Sequence, residues 1–135
     1  MSTCRSLFVY GTLMSPRIVA GVLGHPAGPG ERARLAGFRR YAVAGEVYPA
    51  VVAEAGGEVH GLLLSPVTPA DLRRLDAFEG AMYTREMAWV ETGNGGGQRA
   101  WVYVFADHAR RRLSRRPWDF DQFLRQRGAT PFHGA

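Results

Sequence analysis

The chain has 135 residues, which suits one domain able to bury roughly two-thirds of its unfolded surface around a single core. Its apolar share of 46% includes no run near the ~20 residues a membrane helix requires, and no signal-peptide core. The single Cys4 excludes an intramolecular disulfide framework and reads as a reduced thiol, while the net charge of +5 rests on 17 basic residues, all arginine. The expectation is a cytoplasmic protein, monomer or homodimer, with no membrane partner.

Leu7 to Tyr10 is a short apolar run of strand-forming residues. Gly11 then allows a tight turn, and Ser15-Pro16 is a helix start, with serine as cap and proline first. A strand, a turn and a helix N-terminus place several backbone N–H groups at one spot, which favours a carboxylate or phosphate. Ile18, Val19, Val22 and Leu23 form one helical face, ended by Gly24. His25 to Glu31 is a loop.

Arg32 to Ala44 reads as a strand with a bend or bulge at Gly37. Glu46 to Ala53 reads as another, demoted to an edge or break near Pro49. Gly56-Gly57 is a hairpin signal leading to Val59 to Leu64. Thr68-Pro69-Ala70-Asp71 is a capping-box helix start, with Leu72, Leu75 and Phe78 facing the core and Gly80 as the stop. Arg85 to Glu91 and Gln98 to Ala106 are strands joined by the loop Thr92 to Gly97, the second apolar on both faces. Asp107 to Arg116 carries five arginines. Pro117 to Arg127 reads as a helix, and Gly128 to Ala135 as a frayed end. Roughly six strands and three short helices in non-repeating order indicate a single α+β domain spanning 1–135.

Candidates for chemistry are few. His25, His60, His108 and His133 show no zinc spacing, and no phosphate-cradling glycine-lysine motif is present. The arginines at 110–112 and 115–116 form a solvated face or, alternatively, a nucleic-acid contact; no aromatic platform accompanies them, so nucleic acid is not expected. Carboxylates remain. Glu79 falls at the C-terminal end of a short helix, where the dipole is negative, and Phe78, Met82 and Tyr83 are near enough to desolvate it. Both effects raise a carboxyl pKa and would tune it as a general base. The plainer reading is a solvated glutamate beside a glycine cap. Asp76, one turn earlier, reads equally as a solvent-facing helical acid.

Tyr10-Gly11-Thr12-Leu13 after an apolar strand, with Leu75-Asp76-Ala77-Phe78-Glu79-Gly80 and Tyr83-x-Arg85, resembles the γ-glutamylcyclotransferase-like family. The resemblance is to the branch of avirulence-induced-gene-like proteins and γ-glutamylamine cyclotransferases. Leu35-x-Gly37-Phe38, Tyr48-Pro49-Ala50-Val51, Val59-x-Gly61-Leu62 and Val102-Tyr103-Val104 extend it over about residues 7 to 106. Met14-Ser15-Pro16 suits the avirulence-induced branch better than the amine-releasing animal enzymes.

The resemblance implies a small mixed β-barrel flanked by short helices. It implies a cofactor-free, metal-free acyl transfer in which a γ-glutamyl group cyclises to 5-oxoproline and releases an amine or amino acid. Glu79 would be the general acid/base. Tyr10, Gly11, Thr12 and Leu13 would bind the substrate. Tyr83 and Arg85 would line the cavity, although Arg85 could instead pair with Glu79 or Asp76, and Tyr10 could simply end a core strand. A non-catalytic module binding small metabolites on the same fold is the alternative.

Overall fold

Strands β1 (Leu7–Val9), β2 (Glu31–Ala42), β3 (Pro49–Leu64), β4 (Tyr83–Thr92) and β5 (Gly97–Phe105) close into a barrel in the order β1-β3-β2-β4-β5. The protein is described by a computed structural model over residues 4–126; the expected frayed end and His133 lie outside the described residues. β1 runs antiparallel to β3, with Leu7 opposite Leu64, and parallel to β5 through Leu7 and Trp101. The remaining pairs are antiparallel, so the barrel is mixed, as the α+β reading and the resemblance imply. Closure gives each of these strands a neighbour on both sides.

The expected hairpin at Gly56-Gly57 is a correction. One strand, β3, runs through it. Ala36 faces Glu58 while Phe38 faces Ala53, so Gly37 alone spans the stretch occupied on β3 by residues 54–57. The glycines serve this bulge. A Cβ on Gly57 would lie 2.5 Å from the Phe38 carbonyl oxygen, so the two backbones could not approach. The actual turn between β2 and β3 lies at Val43–Tyr48, where the Glu46 amide donates to the Val43 carbonyl and the Val43 amide to Tyr48. The described residues therefore hold five strands, and Glu46 to Tyr48 is not extended.

Helix α1 (Pro16–Leu23) follows a 3-10 turn at Thr12–Met14. The Ser15 hydroxyl accepts from the Ile18 amide, as the Ser-Pro start requires. Helix α2 (Pro69–Glu79) has the full capping box: Thr68 Oγ1 accepts from Asp71 N, and Asp71 accepts from Thr68 N. Asp71 also meets His25 at 2.8 Å, tying α2 to the end of α1. Helix α3 (Phe120–Gln126) starts later than expected, because Asp119 accepts from the Gln122 and Phe123 amides and so caps it there. Among the described residues no helix is long and apolar enough to cross a membrane.

Candidate functional site

Glu79 is the last residue of α2. Its position follows from the helix's apolar stripe: Leu72 and Leu75 are buried against the barrel, and Glu79 lies four residues beyond Leu75 on the same face. The carboxylate is thus carried inward, with Glu79 only 4% exposed. Gly80 ends the helix with φ +76°, a conformation that favours glycine, and its amide closes on the Asp76 carbonyl at 3.1 Å. The helix stops at the point where the acid faces the core.

The other half of the site comes from the end of β1. Tyr10, Gly11, Thr12 and Leu13 are all buried. The Met14 and Ser15 amides bond back to the Gly11 and Thr12 carbonyls, folding the chain so that Leu13 turns beside Tyr10. Phe8, Val9, Tyr10, Leu13, Glu79 and Tyr103 line one small cavity of about 10 Å³, room for about one water.

Four phenols lie within reach of the Glu79 charge, two of them, Tyr10 and Tyr103, in the cavity lining itself. Burial pushes the Tyr10 pKa far upward, and the Glu79 charge adds to it. Tyr48, Tyr83 and Tyr103 are likewise raised, first by burial, with the Glu79 charge a further cause in each. All four are neutral donors at ordinary pH. They are committed: Tyr10 to the Tyr103 carbonyl at 2.6 Å, Tyr48 to Glu46 at 2.7 Å, Tyr83 to the Pro49 carbonyl at 2.8 Å and Tyr103 to Asp76 at 2.7 Å. The wall around Glu79 is therefore aromatic and tied down.

Arg85 takes one of its two expected roles. Its Nε and Nη2 donate to the Asp76 carboxylate at 2.8 and 3.1 Å, and its guanidinium lies 4.3 Å from the Trp101 ring centroid. Burial raises the Asp76 pKa, but the bonds from Arg85 and Tyr103 outweigh it and hold the carboxyl below its usual range. Asp76, Tyr83, Arg85, Trp101 and Tyr103 line an open groove of about 450 Å³ outside the small cavity. Tyr103 belongs to both. The structure brings Tyr10 and Leu13 to Glu79 and puts Tyr83 and Arg85 on the adjoining groove, with Tyr83 near enough to sense Glu79.

Sequence reasoning did not single out Tyr48 or Tyr103 for the site. Tyr103 had one usable signal, a lone phenol in the apolar run Trp101 to Phe105. A second groove, beside the Thr92 to Gly97 loop, holds Arg32, Arg34, His60 and Glu91; Arg34 pairs there with Glu58 and Glu91, and His60 with Glu58. The arginine segment Asp107–Arg112 is a 3-10 turn in which Arg110 pairs with Asp107.

A family model described as gamma-glutamyl cyclotransferase, AIG2-like, matches residues 7–120. The chain belongs to that family. An AIG2-like protein C of Arabidopsis thaliana is 38% identical over 84 residues, covering 62% of this chain and 48% of the relative. The match thus spans about half the length of that relative. A solution structure of another Arabidopsis thaliana protein superimposes with a TM-score of 0.75 at 28% identity, covering 95% of this chain and 77% of the other. A structure described as a gamma-glutamyl cyclotransferase superimposes with a TM-score of 0.68 at 19% identity over 76% of this chain and 66% of that one, a likeness of fold alone. The barrel with short helices is the fold of this AIG2-like family.

Proposed function

We propose that this protein is a γ-glutamylcyclotransferase-type enzyme. In the reaction, the α-amine of a γ-glutamyl group attacks its own γ-carbonyl. A ring C–N bond forms, the C–N bond to the attached amine or amino acid breaks, and 5-oxoproline is released. No electrons change hands, so the balance requires no cofactor.

The α-ammonium must lose a proton before attack, and the leaving nitrogen must gain one. Glu79 serves both steps, taking the first proton and returning it. A carboxylate removed from water into aromatic surroundings is a stronger base than one in solution. The turn amides of Gly11, Thr12 and Leu13 hold the glutamyl α-carboxylate or the oxyanion that develops on the γ-carbonyl. Folding the substrate so that amine meets carbonyl contributes up to ~7–11 kcal/mol in favourable intramolecular cases. The leaving group extends past Tyr103 into the groove of Tyr83 and Arg85. A cavity of about 10 Å³ does not hold a glutamyl group, so its lining parts on binding.

The observation that supports this reading best is Glu79, buried and lining one cavity with Tyr10 and Leu13 of the turn. The test is to incubate the protein with γ-glutamyl amines and γ-glutamyl amino acids and measure 5-oxoproline. Release from one class identifies the leaving group. Binding without release favours the non-catalytic module.

A further inference from the structure

We propose that Arg40 makes this site demand a free α-carboxylate on the γ-glutamyl group. The inference rests on the reaction proposed above and names the positioning residue behind its substrate turn.

Arg40 lies on β2, opposite Val51 of β3, just past the Gly37 bulge. Its Nη1 donates to the Tyr10 carbonyl and, at 3.4 Å, to that of His60. Its guanidinium sits 5.5 Å from the centroid of the Trp118 ring. Trp118 is fixed there: its indole N–H donates to the Val47 carbonyl at 2.8 Å, and its ring packs on Phe123 at 5.7 Å. Burial pushes the guanidinium pKa down, yet an arginine remains cationic.

Three other arginines on the barrel strands pair with acids. Arg34 pairs with Glu58 and Glu91, Arg39 with Glu54, and Arg85 with Asp76. Among the described residues Arg40 makes no such direct pair; Asp119 attracts it only from farther away. A half-buried cation that bonds carbonyls and an aromatic face retains field to direct elsewhere.

That field is directed through one peptide. In a trans peptide the C=O and N–H point in opposite directions. Arg40 holds the Tyr10 carbonyl, so the Gly11 N–H of the same unit points away from Arg40. Polarising the carbonyl strengthens that N–H as a donor. Among the described residues the cavity lining contains Glu79 and no cation. An anionic group entering beside Glu79 therefore needs positive potential from behind the wall, and Arg40 supplies it. The α-carboxylate is present in both ground and transition states, so the contribution falls on binding and not on the chemical step.

The experiment compares Arg40→Met, Arg40→Gln and Arg40→Lys with the wild type. Substrates are a γ-glutamyl amide and its 4-aminobutanoyl analogue, which lacks the α-carboxylate and cyclises to 2-pyrrolidinone. Binding of 5-oxoproline is measured by calorimetry in parallel. Arg40→Met should raise KM for the γ-glutamyl amide about 10- to 100-fold with kcat within about 3-fold. It should leave the analogue unaffected, and Arg40→Lys should recover most of the loss. Equal effects on both substrates, or a fall in kcat alone, would overturn the inference in favour of a structural role. Arg40→Gln serves if Arg40→Met does not fold. If the wild type binds 5-oxoproline but forms none, the proposed reaction fails while weaker binding by Arg40→Met still supports Arg40. No binding of 5-oxoproline by the wild type overturns the inference.

Discussion

Asp76 and Glu79 stand one turn apart on α2 and meet opposite surroundings. Asp76 is held by Arg85 and Tyr103 with its side chain 43% exposed. Glu79 is buried among aromatic rings at the closed end of the same helix. Ion pairing stabilises the charged form of the first, which makes it a weak base. Enclosure gives the second the setting of a proton carrier. Two acids of similar chemistry acquire different roles from environment alone. The groove acid faces an open surface, and the enclosed acid faces the small cavity.

The largest expected effect falls on the buried stripe that carries Glu79. Leu75, one turn before Glu79 on the same face, is fully buried, and Leu75→Ala should cost about 2–5 kcal/mol in urea unfolding. A cost near zero would mean that α2 is not anchored by this stripe. Next, shortening the enclosed acid should matter far more than neutralising the paired one. Glu79→Asp should lower kcat about 100-fold, since an ångström of misplacement suffices, while Asp76→Asn should change it less than about 10-fold. Steady-state 5-oxoproline release reads both, and equal losses would break the contrast.

Tyr103→Phe removes the hydrogen bond to Asp76 from the wall shared by cavity and groove. The expected loss is about 0.5–1.5 kcal/mol in chemical denaturation, with the fold kept. The smallest effect is on pH dependence. The Asp76 pKa is held below that of an ordinary aspartate, so its pair stabilises the fold above the ordinary value and the benefit is lost as pH falls through the folded pKa. Wild type should therefore lose more stability than Asp76→Asn between pH 5 and the acid transition, scanned at roughly half-unit steps. Parallel acid limbs would show that the pair contributes nothing.

Much of the frame was legible. The Ser15-Pro16 start, the Thr68–Asp71 capping box and the Gly80 stop follow local rules that tertiary structure does not override here. The β3 strand was misjudged because Gly56-Gly57 serves a bulge as well as a hairpin, and only the opposing Phe38 carbonyl decides between them. Glu79 could be singled out because it stands at the negative end of a short helix, with Phe78, Met82 and Tyr83 close in sequence. Whether Arg85 would meet Glu79 or Asp76 depended on a cross-barrel geometry that spacing does not encode. The bond from Arg40 to the Tyr10 carbonyl was hidden for the same reason: it comes from another strand, at long sequence distance.

The central claim is that Glu79 moves the proton. The direct measurement is 5-oxoproline release by Glu79→Gln against wild type on one accepted γ-glutamyl substrate, with thermal melts of both. The prediction is release at least about 100-fold lower from a variant that melts no earlier than wild type. Equal release by a folded Glu79→Gln protein would contradict it.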